Sequence, residues 1–278
     1  MICVRPMTAA ELAFGLRLSR QAGWNQTAAD WQRFLNLQPD GCFTAEWAGT
    51  PVGTTITCIL GQVAWIAMVL VDEQARGRGI GTTLLAHALE FLDGRGVATI
   101  RLDATPLGRP LYERLGFVEQ FRLARYDGTA LPRPGVGGIA EAVPGCWEAL
   151  AVLDEAVTGV DRRPLLFRLF TSQPRDVRLV RDGDLLGGFL AARLGERAVQ
   201  VGPCIATPQA GPVLLADAWN RYAGRRVFLD VPVPNEAATW LAEAEGLSVQ
   251  RHLTRMCRGV PVCERLDWLW ASSGPEMG

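Results

Sequence analysis

With 278 residues, nearly half of them apolar, the chain is long enough for two packed cores of ordinary domain size. Its charges almost cancel, at a formal net of −1, which excludes bulk electrostatic attraction to nucleic acid or to an anionic membrane surface. Seven cysteines without a C-x-x-C pair, beside two histidines, speak against a zinc site, so no metal is expected.

In chain order, the opening "MICVRPMTAAEL" has no basic region followed by a long apolar core, and no apolar run reaches the roughly 18 residues of a membrane helix. A cytoplasmic protein with reduced, mostly buried thiols and no membrane partner is expected. Residues 20–56 read as helix, helix, strand, tight turn at Ala48-Gly49-Thr50, and strand. Thr27 has the position of an N-cap for the second helix, with Trp31 and Phe34 further along it. Val63–Val71 is a continuous apolar run, hence a buried central strand. Thr82–Leu92 follows with helical apolar spacing, offering Leu84, Leu85, Ala88, Leu89 and Leu92 to one face.

Between that strand and that helix lies "QARGRGIGTTLL", Gln74–Leu85, with three glycines in five residues. A strand-to-helix turn points unpaired backbone N–H groups and the positive end of the helix dipole outward together. Glycine lets an anion approach such a turn without meeting a Cβ, so the stretch reads as a phosphate site, a ligand-free tight turn being the alternative. It is not the G-x-G-x-x-G of dinucleotide folds, and it lacks the Gly-Lys-Ser/Thr of the nucleotide-triphosphate loop.

A β-branched strand at 98–105 and a helix closing on "RLGF" complete the first half. The segment 127–141, rich in glycine and proline, reads as a linker. The second half repeats the order: two helices, a turn at Asp182-Gly183-Asp184, apolar strand 198–206, helix, β-branched strand 225–232, and a helix closing on "AEGL". His252–Gly259 reads as its last strand. This is a tandem duplication of an α+β unit. The expected division is 1–128, a linker at 129–140, and 141–278.

The pattern Arg76-x-x-Gly79-x-Gly81 resembles the pyrophosphate-binding motif of the GNAT superfamily of N-acetyltransferases. "LYERLGF", Leu111–Phe117, resembles the Tyr-x-x-x-Gly-Phe that closes the GNAT core, at the family's usual distance. The resemblance covers roughly residues 1–126. "LDATPLGRPLYERLGF" in particular looks like a bacterial tandem-GNAT group with a diverged second domain.

The resemblance implies two GNAT-like domains, each a mixed, largely antiparallel sheet flanked by helices, and acetyl-CoA as cosubstrate. The run Arg76, Gly77, Arg78, Gly79, Ile80, Gly81 and Thr82 would hold its pyrophosphate. A bulge around Ala67–Leu70 would offer a backbone N–H to the thioester oxygen, with Val69 and Val71 making main-chain contacts along the pantetheine arm. That arm would lie where the fourth and fifth strands splay apart. Tyr112 takes the position of the acid that protonates the departing thiolate, a phenol packed on its helix being the alternative. Thr105 stands where many relatives carry an asparagine that contacts the cofactor.

The fourth strand carries no acid, so the base is sought at Asp103 or, through water, at Glu46, structural hydrogen bonding of the following loop being the alternative for Asp103; Asp72 and Glu73 decorate the loop entrance. Trp24 and Asn25 fall where the family places the acceptor loop, although Trp24 could equally fill a corner and Asn25 tighten the turn. In the second half "ATPQAGPVLL" replaces the glycine loop with prolines, which remove N–H donors, and Ala242 replaces the tyrosine. Asn235 keeps the asparagine position. The second domain is therefore expected to be catalytically silent.

The implied function is acetyl transfer to a small amine or amino-acid-like acceptor, by direct attack in a ternary complex. The alternatives are transfer to a protein N-terminus or lysine, transfer of a longer acyl group, or a sensor that binds acetyl-CoA without turnover. No nucleic-acid partner is expected, and the chain is read as a monomer or a homodimer.

Overall fold

Apolar runs separated by glycine-bearing turns become strands and hairpins in the computed structural model, which describes residues 1–134 and 137–278. By their contacts these residues form two units. The first holds Met1–Leu102, Gly195–Arg197 and Cys257–Val260; the second holds Asp103–Leu194, Ala198–Met256 and Pro261–Gly278.

The first unit contains β1 (Ile2–Pro6), α1 (Leu12–Gln21), α2 (Ala28–Leu37), β2 (Cys42–Trp47), β3 (Thr50–Leu60), β4 (Val63–Val71), α3 (Ile80–Asp93) and most of β5 (Thr99–Ala104). Strands β1 to β4 pair antiparallel in succession, and β5 joins β4 in parallel. Thr27 caps α2 as expected, and Asp30 answers from the third position by accepting the Thr27 N–H at 2.8 Å. The hairpin turn takes positive φ at Ala48 and Gly49, as the twist of a tight hairpin requires. The apolar stripe of α3 is buried from Ile80 through Leu84, Leu85, Ala88 and Leu89 to Leu92.

The second unit contains α4 (Arg109–Arg114), β6 (Val118–Thr129), β7 (Ile139–Glu141), α5 (Trp147–Thr158), α6 (Arg163–Ser172), β8 (Val177–Asp182), β9 (Leu185–Leu194), β10 (Val199–Ala206), α7 (Ala210–Arg221), β11 (Arg226–Pro232), α8 (Glu236–Ala244), most of β12 (Ser248–Gly259) and β13 (Leu269–Ala271). Its strands run β12-β6-β11-β10-β9-β8-β7, with β13 also on β10. Trp219 and Trp270 sit in its core among the aliphatic side chains of β10, β11 and α7.

These units do not divide at residues 129–140. Strand β6 follows β5 and α4 in the chain, yet it pairs antiparallel with β11, from Leu123 against Pro232 to Thr129 against Arg226. The end of β12 lies instead against the start of β5, where Val260 N donates to Ala98 O at 3.3 Å and Thr99 Oγ1 to Val260 O at 2.6 Å. The duplication explains the exchange. Both β6 and β12 are 12 residues long with a buried centre, and equivalent strands can serve equivalent edges. Of the expected linker, Ala130 N donates to Arg225 O at 2.9 Å and Arg133 N to Asn220 Oδ1 at 2.6 Å, while residues 135 and 136 lie outside the described residues.

Candidate active site

The expected bulge is present in β4. Ala67 stands opposite Ile56 and Leu70 opposite Thr54, so Met68 and Val69 together face Thr55. Met68 takes a φ of 50°, a left-handed conformation uncommon for a residue with a side chain. The buried Thr54 hydroxyl donates to Met68 O at 2.9 Å and holds that peptide in its turned orientation. Parallel pairing of β4 with β5 covers only Val63–Trp65 against Thr99–Arg101, so no ladder joins the two strands beyond that point. Val69 and Val71 stand on this unpaired stretch.

After β4, Asp72 accepts from Gln74 N at 3.1 Å and from Arg17 Nη1 at 2.7 Å; the Arg17 guanidinium holds its carboxyl below the usual range. Gly77 and Gly79 have φ of 75° and 78°, and a Cβ on either would meet nothing within 4 Å. Gly79 is the N-cap of α3 and supplies no side-chain cap, leaving the first N–H groups of the helix to the open side of the turn. Gly81 lies one position into the helix, with Val71 Cγ2 at 3.8 Å from a notional Cβ. Arg76, Arg78 and Thr82 are exposed, whereas Ile80 is buried and can offer only its main chain. The Arg76 Nε donates to Val71 O at 3.3 Å, and the Arg78 guanidinium lies over the Trp47 ring at 4.8 Å. The turn thus presents an uncapped helix start, two cationic side chains and room for close approach. These features fit a diphosphate.

On the loop between α1 and α2 Trp24 is partly exposed, whereas Asn25 is buried. The Asn25 Oδ1 accepts from Arg197 N at 2.9 Å, and its own carbonyl accepts from Glu196 N at 2.9 Å. Arg20 pairs with Glu196 at 2.9 Å over the same turn. Asn25 therefore clamps residues 195–197 onto the loop between α1 and α2, the turn-tightening role that was the alternative to an acceptor contact. Its partner lies 172 residues away in the chain, beyond any local pattern.

The second unit carries Asp103, Thr105 and Tyr112, and the first carries Glu46. Asp103 receives both Arg255 Nε at 2.9 Å and Arg255 Nη2 at 3.0 Å, with both side chains enclosed, and Arg255 also meets Glu264 at 3.0 Å. A carboxylate gripped by a buried guanidinium is a poor proton acceptor, because the paired charge favours its ionised form. Asp103 thus serves as a structural partner of Arg255, the alternative to a role as base. Glu46 accepts from Arg5 at 2.6 and 2.8 Å.

Thr105 Oγ1 accepts from Gly108 N at 3.2 Å and so steadies the entry to α4. Asn235 does the same for α8 through Ala238 N at 3.0 Å, which supports the equivalence of the two positions. The Tyr112 ring packs on Gly108 and stands edge-on to Phe117, 6.0 Å between centroids. Among the described residues its hydroxyl has no hydrogen-bond partner, and desolvation pushes the phenol up to about 12. Among the described residues no group of three or more His, Cys, Asp and Glu could hold a metal ion, and no helix is long and apolar enough to cross a membrane.

The acetyltransferase (GNAT) family model matches residues 12–117, and an acetyltransferase (GNAT) domain model matches 150–270. Together they cover well over half of the chain. The holothin acyltransferase of Pseudoalteromonas sp. (strain SANK 73390) is 25% identical over 240 residues, spanning 85% of this chain and 81% of its own. A crystal structure described as an acetyltransferase from Pyrococcus horikoshii superposes with a TM-score of 0.86 at 26% identity, over 100% of this chain and 96% of that one. A tandem GNAT protein from the clavulanic acid biosynthesis pathway shares the fold, with a TM-score of 0.64 at 14% identity over 94% and 99% of the two chains.

Proposed function

The chain belongs to the GNAT family of acetyltransferases, with two GNAT domains in tandem, and on that premise we propose that it moves the acetyl group of acetyl-CoA directly onto the amine of a small-molecule or amino-acid-like acceptor. The observation that carries this reading is the pairing, in one unit, of the open glycine turn at α3 with the bulge that ends the β4–β5 ladder. Residues 80–82 would give main-chain N–H groups to the diphosphate, with Arg76 and Arg78 supplying charge. Past the bulge, β4 main-chain groups freed from the ladder would bind the amide-bearing arm. The Val69 N–H, beside the turned Met68 peptide, would meet the thioester oxygen as negative charge gathers on it during attack.

Tyr112 would return a proton to the departing sulfur. With Asp103 and Glu46 both held in ion pairs, water is the proposed acceptor of the amine proton. That route favours an amine of the α-amino type, which titrates near 8 and reaches its neutral form without a dedicated base. The clamp of residues 195–197 over the α1–α2 loop would narrow an acceptor site bounded by that loop, and this favours a small acceptor over an extended peptide.

Calorimetric titration with acetyl-CoA tests the reading. One site per chain is expected, abolished by Gly81→Glu. An acid in the first turn of a helix suits the helix dipole, so this substitution keeps the fold while setting negative charge against the diphosphate. Undiminished affinity in Gly81→Glu would remove the glycine turn from the site. A chain that binds no acetyl-CoA at all would end the proposal.

A further inference from the structure

The bulge of β4 has a counterpart in β10. Val201 stands opposite Ala192 and Cys204 opposite Leu190, so Gly202 and Pro203 together face Ala191. Pro203 takes the place of Val69 and has no N–H to offer. Pairing of β10 with β11 likewise stops at Val201 against Leu229. The second unit has therefore kept the form of the cleft proposed for the coenzyme arm in the first.

In the second unit that cleft is full. Strand β13 pairs antiparallel with β10 past the bulge, Cys204 against Ala271 and Ile205 against Leu269. Ala206 N donates to Trp268 O at 2.9 Å, and Ser272 N donates to Asp230 O of β11 at 2.9 Å, so the segment engages both parted strands. Leu269, Trp270 and Ala271 are all buried. The Trp270 indole donates to Ala206 O at 3.2 Å, and its ring covers Gly211, where an added Cβ would stand 2.0 Å from it. Gly211 precedes Leu214-Leu215 as Gly81 precedes Leu84-Leu85, so it marks the place of the phosphate turn. An added Cβ on Gly202 would stand 2.1 Å from Ser272 O. Asn235, the cap of α8, holds the approach by donating to Leu266 O and Leu269 O at 3.0 and 3.1 Å.

We propose that Trp268–Ser272 is a resident ligand of the second unit, and that the former coenzyme cleft there has become a site for an extended peptide strand bearing an indole. Its backbone amides take the place of the coenzyme's amide-bearing arm, and the Trp270 ring takes the place of the diphosphate. The assignment of origin rests on the coenzyme reading of the first unit; the peptide binding does not. The ligand class is a β-strand inserted between two parted strands, where main-chain hydrogen bonds give affinity and one buried aromatic gives selectivity.

The test uses the full chain with a specific protease site inserted after Pro261, in the exposed stretch that leads to this segment. After cleavage, residues 262–278 should stay bound through gel filtration at about 10 µM protein and exchange with a labelled synthetic peptide of the same sequence. A peptide with Trp270→Ala should compete about tenfold or more weakly, as expected for loss of a buried aromatic anchor. Coenzyme A at about 1 mM should displace nothing. Loss of the segment on cleavage overturns the proposal, and so does its displacement by coenzyme A, which would mark a live coenzyme site. A first unit that fails to bind acetyl-CoA leaves these peptide results unchanged, so the two readings fail separately. Should the insertion prevent folding, hydrogen exchange on the unaltered chain decides. The Ala206 and Ser272 amides should be as protected as those of the β9–β10 ladder, and exchange about a hundredfold faster would overturn the assignment.

Discussion

A phenol pushed up to about 12 is a poor proton donor to a thiolate of ordinary pKa near 8.5. The same burial that disfavours phenolate disfavours thiolate, however. In this protein the enclosed Cys58 thiol is also pushed up to about 12 by desolvation. On the proposed route a thiolate enclosed beside Tyr112 would be raised in the same sense, which would lessen the mismatch. Tyr112→Phe should therefore lower kcat about 10²-fold or more, with acetyl-CoA affinity unchanged, measured by thiol release with an acceptor found by amine screening. Wild-type turnover in that variant would reduce Tyr112 to a packing residue. Tyr112 and the glycines stood out as candidates because each belongs to a short motif of fixed spacing. Asn25 and Asp103 stayed open between a structural and a site role because their partners, Arg197 and Arg255, lie 172 and 152 residues away. Thr54 gave no sign at all: a hydroxyl that turns the Met68 peptide looks, in "GTTIT", like any β-branched strand residue.

At the scale of elements, the strands and helices of both halves follow from apolar spacing, turn glycines and caps. Their neighbours do not. Strand β5 acquires Arg255 from β12, and the pair Asp103–Arg255 ties those strands through a fully enclosed contact. Removing one charge from such a pair strands the other, at a cost of about 3–5 kcal/mol. Asp103→Asn should thus lower the thermal midpoint by several degrees while leaving acetyl-CoA affinity intact, by calorimetry of folding and of binding. An unchanged midpoint together with lost turnover would restore Asp103 as the base.

For the molecule as a whole, the duplicated halves have parted in chemistry more than in form. Both keep the hairpin, the bulge and the diverging parallel pair, but one carries glycines in an open turn and the other a single glycine covered by Trp270. The second unit also buries charge: Arg125 donates to Asp230 at 2.8 and 2.7 Å. Burial alone would raise the Asp230 pKa, and the Arg125 charge more than reverses it, so the folded value lies below the unfolded one. A carboxyl of this kind lends its stability above the unfolded pKa of about 4, and loses it as pH falls through the folded value. Urea unfolding should accordingly show stability falling from about pH 4 downward, with a shallower slope in Asp230→Asn. An equally steep slope in that variant would place the acid sensitivity elsewhere.

The sequence by itself determined the family, the α+β duplication, the glycine turn and the loss of that turn from the second half. All of these are properties of short windows, where backbone sterics and residue chemistry act between near neighbours. Tertiary structure alone decided which strand covers which edge, which carboxylate is gripped by an arginine and what fills the second cleft. Those outcomes depend on groups far apart in the chain, and the duplication left two equivalent edges and two equivalent strands between which local pattern could not choose.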